Sequence, residues 1–230
     1  MEQKTQKNSG ESLLDRAYDH IKQLIITRQL APGEVVSDFK IAKDLRISRT
    51  PVRNAIRQLD KEGFLHCTPG KGCRVYTLNL QDLQEIFEVK VELEGLLARK
   101  AAQSIDAKLK DKLKNTFERL DKATRDGDIE LWHEVDLELH QTIFDMAVNK
   151  RATRYVRELN DQWYRLRVGM VAMDGRVNES LIEHKVIVDS ILAGEADQAE
   201  AATRKHLTDL RQKLEDVLVN MVLPFTKGGF

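Results

Sequence analysis

Three arginines stand at four-residue spacing on one predicted helix. They are Arg49, Arg53 and Arg57, and residues four apart lie on the same side of an α-helix. Arginine donates paired hydrogen bonds to guanine O6 and N7 and also clamps phosphates. The spacing favours a helix that contacts DNA, although a solvated helix whose arginines form salt bridges would show the same spacing.

The other side of this helix is apolar, because Val52, Ile56 and Leu59 recur at helical spacing. A shorter apolar helix over residues 39–47 precedes it, and a tight polar turn at Ser48 separates the two. Together they predict a helix-turn-helix. The candidate DNA contacts in this region are Lys40, Arg46, Ser48, Arg49, Thr50, Arg53 and Arg57.

After Gly63 the pattern changes from helix to hairpin. Short β-prone runs over 64–67 and 73–76 flank a turn rich in proline and glycine. In that turn Gly70 can adopt a positive φ, and Lys71 offers a charge to a phosphate. The hairpin predicts a wing that contacts DNA through these two residues, and an ordinary hairpin with a solvating lysine is the alternative.

Four side chains that commonly bind metals lie in the second half of the chain. Asp136 and His140 share one face of a predicted helix, and His184 and His206 come from two further helices. A single histidine on an apolar face is most often a core residue. Burying a carboxylate and three imidazoles without a shared partner would be costly, however, and a divalent metal would satisfy them together. Zinc, nickel and manganese all accept such ligands.

The net charge of zero conceals two different halves. Residues 11–76 contain 12 Lys and Arg against 8 Asp and Glu, whereas residues 77–230 contain 23 against 28. The excess of basic residues in the first region favours nucleic-acid binding, and the acidic second region is expected to have a different function. No signal peptide and no apolar run near 18 residues is evident, so we expect a cytoplasmic protein that does not enter membranes.

The only two cysteines, Cys67 and Cys73, flank the wing turn. We expect two reduced thiols, the commoner state in the cytoplasm. A redox-sensitive wing, in which the two sulfurs pair across the hairpin, is the alternative. Two cysteines without further ligands are too few for a zinc site.

Apolar residues recur at helical spacing from residue 81 onward, which predicts a mainly α fold with an antiparallel helical bundle as its second domain. The predicted helices begin near residue 81 and then cover 106–125, 128–148, 150–172, 176–193 and 195–222. The predicted organisation is a disordered N-terminus (1–10), a winged helix-turn-helix (11–76), a linker (77–80), an all-helical ligand- and metal-binding domain (81–222) and a tail (223–230).

The region from Tyr18 to Tyr76 resembles the winged helix-turn-helix of the GntR family of bacterial transcription regulators. The resemblance implies DNA contacts at Arg49, Thr50, Arg53, Gly70 and Lys71. One departure is Asn54, where the family usually has glutamate. The matching residues are Pro32-Gly33-Glu34, Ile41-Ala42, Leu45, Ile47 to Arg53, Ala55-Ile56, Leu59, Glu62-Gly63, Gly72 and Val75.

Residues 81 to about 222 resemble the FCD ligand-binding domain of the FadR subfamily. The resemblance implies that Asp136, His140, His184 and His206 bind one metal. Lys90 stands where many members have arginine, and lysine acts as a point charge rather than a bidentate donor. We expect a small carboxylate effector to complete the metal coordination, with Lys90 or Arg167 holding its far end.

These features predict a ligand-responsive transcriptional regulator, a repressor released from DNA by a small organic acid at the metal centre. One recognition helix and one wing bury little surface, so we expect a homodimer on a partly palindromic double-stranded operator. The alternative is a metal-dependent hydrolase or lyase that also has a DNA-binding domain. We expect no enzyme, because the sequence offers no dedicated general base or nucleophile constellation.

Overall fold

The structure is a computed structural model that describes residues 12–104, 106–170 and 175–217, and the side chains of 164–170 and 217 are not among those described. The chain divides into two compact units between Thr77 and Leu78. The predictions for residues 1–10 and 223–230 lie outside the described residues. Among the described helices, none has the length and apolar character needed to cross a membrane.

The first unit is a winged helix-turn-helix, as predicted. Its helices pack around a core in which Ala17, Ile21, Leu59, Phe64 and Leu65 are almost completely buried. In chain order its elements are α1 (Leu13–Ile26), β1 (Val35–Val36), α2 (Asp38–Leu45), α3 (Arg49–Lys61), β2 (Leu65–Thr68) and β3 (Gly72–Val75).

Local sequence sets the turn between α2 and α3. The Ser37 side chain caps α2 by accepting from the backbone N–H of Lys40 at 3.2 Å. The helix ends at Arg46, whose backbone is left-handed with φ 56°, and the chain re-enters a helix after the extended residue Ser48. The short turn changes the direction of the chain between α2 and α3. Burial of Val52 and Ile56 then determines which side of α3 is exposed.

The wing belongs to a three-stranded antiparallel sheet with the order β1-β3-β2. The sequence predicted the β2 and β3 hairpin but not β1, because a strand of two residues has no detectable alternation. Cys67 and Cys73 lie directly opposite each other on β2 and β3. They form a disulfide, so the expectation of two reduced thiols is wrong for this structure, because the strand register places the two sulfurs together.

The second unit is an antiparallel helical bundle. The long helix α4 (Leu80–Ala102) packs against α6 (Ile129–Ala147), α7 (Lys150–Met170), α8 (Arg176–Ala193) and α9 (Ala196–Val217). The bundle core includes Leu97, Leu113, Leu139, Val156 and Ile191, all of which are fully buried. The helices are α4 (Leu80–Ala102), α5 (Ala107–Asp126), α6 (Ile129–Ala147), α7 (Lys150–Met170), α8 (Arg176–Ala193) and α9 (Ala196–Val217).

Side-chain caps place the starts of these helices. Asn79 and Asp82 form a capping box at α4, and Asp106 and Asp128 cap α5 and α6 by accepting from backbone N–H groups three residues on. Asn149 accepts from the backbone N–H of Ala152 at 3.2 Å. It therefore caps the start of α7.

Candidate DNA-binding surface and metal centre

The exposed side of α3 presents the arginines that the sequence singled out. Arg49, Arg53 and Arg57 are all exposed, and Val52 and Leu59 on the other side are fully buried. Cationic groups on this side could therefore reach a nucleic acid without unfolding of the domain. The remaining predicted contacts in the first unit are also exposed: Lys40, Arg46, Ser48, Thr50, Gly70 and Lys71.

Asp38, at the start of α2, pairs with two of these arginines. Its Oδ1 lies 2.8 Å from Arg49 Nη2, and its Oδ2 lies 2.6 Å from Arg53 Nε. The hydrogen bond from Arg49 is the largest of the interactions that hold the pKa of Asp38 below its model-peptide value of 3.8. Sequence analysis missed this carboxylate, although it lies on α2, the helix that precedes α3.

The wing turn is tight and connected to α3. Gly70 and Gly72 have φ values of +75° and +82°, as the turn composition predicted, and the backbone N–H of Lys71 donates to the Thr68 carbonyl at 3.0 Å. The backbone N–H of Cys67 donates to Asp60 Oδ1 at 2.8 Å. The wing is thus hydrogen-bonded to the last turns of α3.

In the second unit, three helices bring three histidines together. His140 comes from α6, His184 from α8 and His206 from α9. One ring nitrogen of each lies within 4.8 Å of the other two. The His184 ring centroid lies 4.6 Å from that of His206 and 5.1 Å from that of His140. His184 and His206 are buried, whereas His140 is partly exposed.

Asp136 lies beside this cluster. Its Oδ1 is 3.5 Å from His184 Nδ1 and 3.9 Å from His140 Nε2, and the residue is 2% exposed. Among the described residues, the group in which every ligand atom lies within 4.8 Å of every other contains the three histidines and not Asp136. The structure therefore brings all four predicted ligands into one region, with Asp136 against two of them.

The chemistry of these residues fits a divalent metal. Burial and the neighbouring His206 hold the pKa of His184 well below 6.5, so its imidazole is neutral and has a free lone pair. In the described part of the chain, His184 Nε2 is buried without a hydrogen-bond partner. An unsatisfied buried acceptor costs about 1–3 kcal/mol, and bonding to a metal would remove that cost.

Lys90 of α4 is 2% exposed and hydrogen-bonds to Glu94 and Asn160. The Glu94 Oε2 atom lies 3.7 Å from His140 Nδ1. Burial raises the pKa of Glu94, but the charges of Lys90 and His140 together with the Lys90 hydrogen bond outweigh burial, so the net shift is downward. The side chain of Arg167, the other predicted effector contact, lies outside the described residues.

A second ion pair, between Glu183 and Arg176, contacts the cluster through His206 and was missed by sequence analysis. Glu183 Oε2 is 2.6 Å from His206 Nδ1, and the same carboxylate accepts two hydrogen bonds from Arg176 at 3.0 Å each. Burial raises the pKa of Glu183, but the hydrogen bonds from His206 and Arg176 lower it to about 2. The carboxylate is thus ionised and accepts from both neighbours.

Two family models match the two units that contain these sites. Residues 13–75 match the model described as bacterial regulatory proteins of the gntR family, and residues 85–209 match the FCD domain. The chain belongs to the GntR family and has an FCD domain. The winged helix-turn-helix is therefore a DNA-binding domain of that family.

Relatives and solved structures agree with this assignment. The chain is 25% identical to the uncharacterized HTH-type transcriptional regulator YdhC of Bacillus subtilis, over 87% of this chain and 90% of that protein. It is 27% identical to a probable D-xylose utilization operon transcriptional repressor of Paenarthrobacter nicotinovorans, over 90% and 91%. The McbR/YncC structure from E. coli has the same fold, with a TM-score of 0.74 at 18% identity, over 89% of this chain and 98% of that one.

The GntR-family chain is thus a transcriptional regulator that binds DNA. Its relatives are regulators rather than enzymes, which confirms the expectation that the chain is not an enzyme. The hydrolase or lyase alternative is set aside for the same reason.

Proposed function

We propose that this regulator is a repressor that leaves its operator when a small organic acid binds at a divalent metal in the FCD domain. The repressor assignment draws on relatives whose names include that activity, in Paenarthrobacter nicotinovorans and in E. coli. Assignment to the FadR subfamily within the GntR family is part of the same proposal.

The convergence of His140, His184 and His206 is the observation that carries the metal centre. Three imidazoles from three helices meet within 4.8 Å, and Asp136 completes a set of one oxygen and three nitrogen ligands. When bound, zinc, nickel or manganese would act as a Lewis acid with coordination positions open to a carboxylate. The protein supplies one imidazole, that of His184, whose pKa burial holds well below 6.5, and it keeps bulk water away from His184 and His206.

Lys90 and Arg167 are our candidates for holding the far end of the effector. An acid that reached Lys90 would exchange with Glu94 or Asn160, because both already hydrogen-bond to that ammonium. An acid that replaced Glu94 would keep Lys90 paired with a carboxylate, and Glu94 would remain beside His140. A carboxylate is therefore a better partner for Lys90 than a neutral ligand.

On the DNA side, we assign recognition to the exposed face of α3 and to the wing. Arg49 and Arg53 have the donor geometry for guanine or phosphate, and Lys71 at the wing tip suits a phosphate. A single module of this size gives limited specificity, so the functional unit is a homodimer on a partly palindromic operator.

Effector binding and DNA binding are coupled if the acid binds one arrangement of the dimer more tightly than the other. A coupling of about 1–3 kcal/mol would change operator affinity roughly 5- to 150-fold. The wing strand β3 ends at Val75 and helix α4 begins at Leu80, so the connector is short enough to transmit a shift of α4 to the wing.

The test compares the full-length chain with His184→Ala. Elemental analysis and native mass spectrometry of the purified protein report the metal, any co-purified acid and the oligomeric state together. We expect the variant to lose metal and effector-dependent release while its effector-free DNA binding stays close to that of the parent. A variant with full metal content and a normal effector response would refute the proposed metal centre.

A further inference from the structure

A carboxylate faces Nδ1 of each clustered histidine, and only one of the three makes a short hydrogen bond. The Nδ1 to oxygen distances are 3.7 Å from His140 to Glu94, 3.5 Å from His184 to Asp136 and 2.6 Å from His206 to its partner Glu183. The last distance is typical of a charge-assisted hydrogen bond. Of the three clustered rings, His206 is therefore the one that a short hydrogen bond to a carboxylate holds in place.

Both oxygens of Glu183 are already engaged. Oε1 accepts from Arg176 Nη1, and Oε2 accepts from Arg176 Nη2 and from the His206 ring. Arg176 is itself buried, with 6% of its surface exposed, so the guanidinium and carboxylate hold each other in a fixed bidentate geometry. A carboxylate with this many donors is a poor candidate for a metal ligand, although it neighbours His184 in sequence.

The hydrogen bond also decides which ring nitrogen can bind a metal. A carboxylate that also pairs with a guanidinium only accepts hydrogen bonds, so Nδ1 of the His206 ring bears a proton and is the donor. The lone pair is then on Nε2. Histidines that bind metals usually donate their other ring N–H to a carboxylate or a carbonyl, which fixes the ring and raises its basicity.

We propose that Glu183, held by Arg176, is a positioning residue that fixes the Nδ1–H tautomer of His206 and thereby presents Nε2 to the metal. This inference rests on the proposed metal centre. It adds two residues to the site, neither of which the metal-ligand spacing reveals.

The test uses the full chain and four proteins: the parent, Glu183→Ala, Glu183→Gln and the control Glu179→Gln. Glu179 is one turn earlier on α8, and its carboxylate also approaches Arg176, at 3.7 Å, but its other partner is Lys213. The control therefore removes a carboxylate from the same arginine and leaves the hydrogen bond to His206 in place.

Zinc and nickel affinities are measured by competition with a chromophoric chelator. We expect Glu183→Ala to bind about 10- to 100-fold more weakly than the parent, Glu183→Gln to lie between them and Glu179→Gln to match the parent. Nitrogen NMR of histidine-labelled, metal-free protein should show a protonated Nδ1 on His206 in the parent and its loss in Glu183→Ala. The Gln variant retains the side-chain shape, so it remains informative if the Ala variant folds poorly.

The outcomes separate the two proposals. A parent chain that binds neither metal would refute the metal centre, while the NMR measurement would still report the tautomer. A parent that binds metal, with Glu183 variants that bind equally well, would overturn the positioning role alone. The same follows if Nδ1 of His206 carries no proton in the parent.

Discussion

The pairing of Asp38 with two recognition-helix arginines predicts an unusual response to one isosteric substitution. Asp38→Asn removes the negative charge and keeps the side-chain shape. The carboxylate now holds Arg49 and Arg53 together, with oxygen to nitrogen distances of 2.8 and 2.6 Å. We expect the variant to lose sequence discrimination while its binding to unrelated DNA is maintained or strengthened, because a negative charge near the phosphates has been removed.

The magnitude follows from the exposure of the partners. Both arginine side chains are at least half exposed, so each ion pair stabilises folding by only about 0.2–1 kcal/mol. Because the pKa of Asp38 is lowered, this stabilisation is present above pH 3.8 and is lost as the pH falls through the lower folded-state pKa. The variant therefore folds at neutral pH, and its defect is in recognition.

Misplacing one arginine that reads a base would cost about 1–3 kcal/mol of discrimination, which corresponds to roughly 5- to 150-fold in the ratio of specific to nonspecific affinity. Fluorescence anisotropy with an operator selected from random duplexes, and with a scrambled duplex, measures both affinities. Asp44→Asn, which removes an exposed acid from the same helix, is the matched control. Equal losses on both duplexes, or no change on either, would refute the positioning argument.

Three other outcomes can be checked on the same protein. Lys71→Ala should weaken binding to operator and scrambled duplex by the same factor and reduce the slope of log affinity against log salt by about 0.9, as loss of one phosphate contact does; a change confined to the operator would contradict this. Reduction of the Cys67 to Cys73 disulfide should weaken DNA binding, because the wing strands are then no longer tied together. A thiol count by mass spectrometry verifies the reduction, and Cys67→Ser, which cannot form the disulfide, is the control. Equal DNA affinities of the oxidised and reduced protein would contradict this prediction. Light scattering at micromolar concentration should give twice the chain mass, and a monomer with and without DNA would disprove the dimer.

Periodicity was sufficient to predict most of the fold. The buried positions Val52, Ile56 and Leu59 lie where the helical spacing placed them, and glycine at 127 and 194 ends helices near the predicted breaks. These features are local, since a helical face or a cap depends on residues within a few positions of each other. The two-residue strand β1 was missed because only its pairing with β3 defines it.

For the two candidate sites, too, the sequence predicted local features but not contacts between helices. Spacing placed Asp136 and His140 on one face of α6, because four residues make about one helical turn. Residue spacing could not reveal that Asp38 pairs with arginines of α3 or that Lys90 hydrogen-bonds to both Glu94 and Asn160. Nor could it reveal that Glu183 hydrogen-bonds to a histidine 23 residues away. Such contacts depend on how helices pack against each other. Sequence resemblance found the candidate ligands, whereas the structure was needed to find the groups that contact them.

The charges around the cluster bear on the kind of effector that the site would accept. Three carboxylates, on Asp136, Glu94 and Glu183, face the histidines, and two of them are paired with cations, Lys90 and Arg176. If the imidazoles are neutral, as metal binding requires, this set has one excess negative charge. A divalent cation would reverse the balance to one positive charge, and a bound carboxylate would then bring it to zero. Uncompensated charge is costly in a buried site. The electrostatics therefore favour binding of the metal first and of the organic acid second.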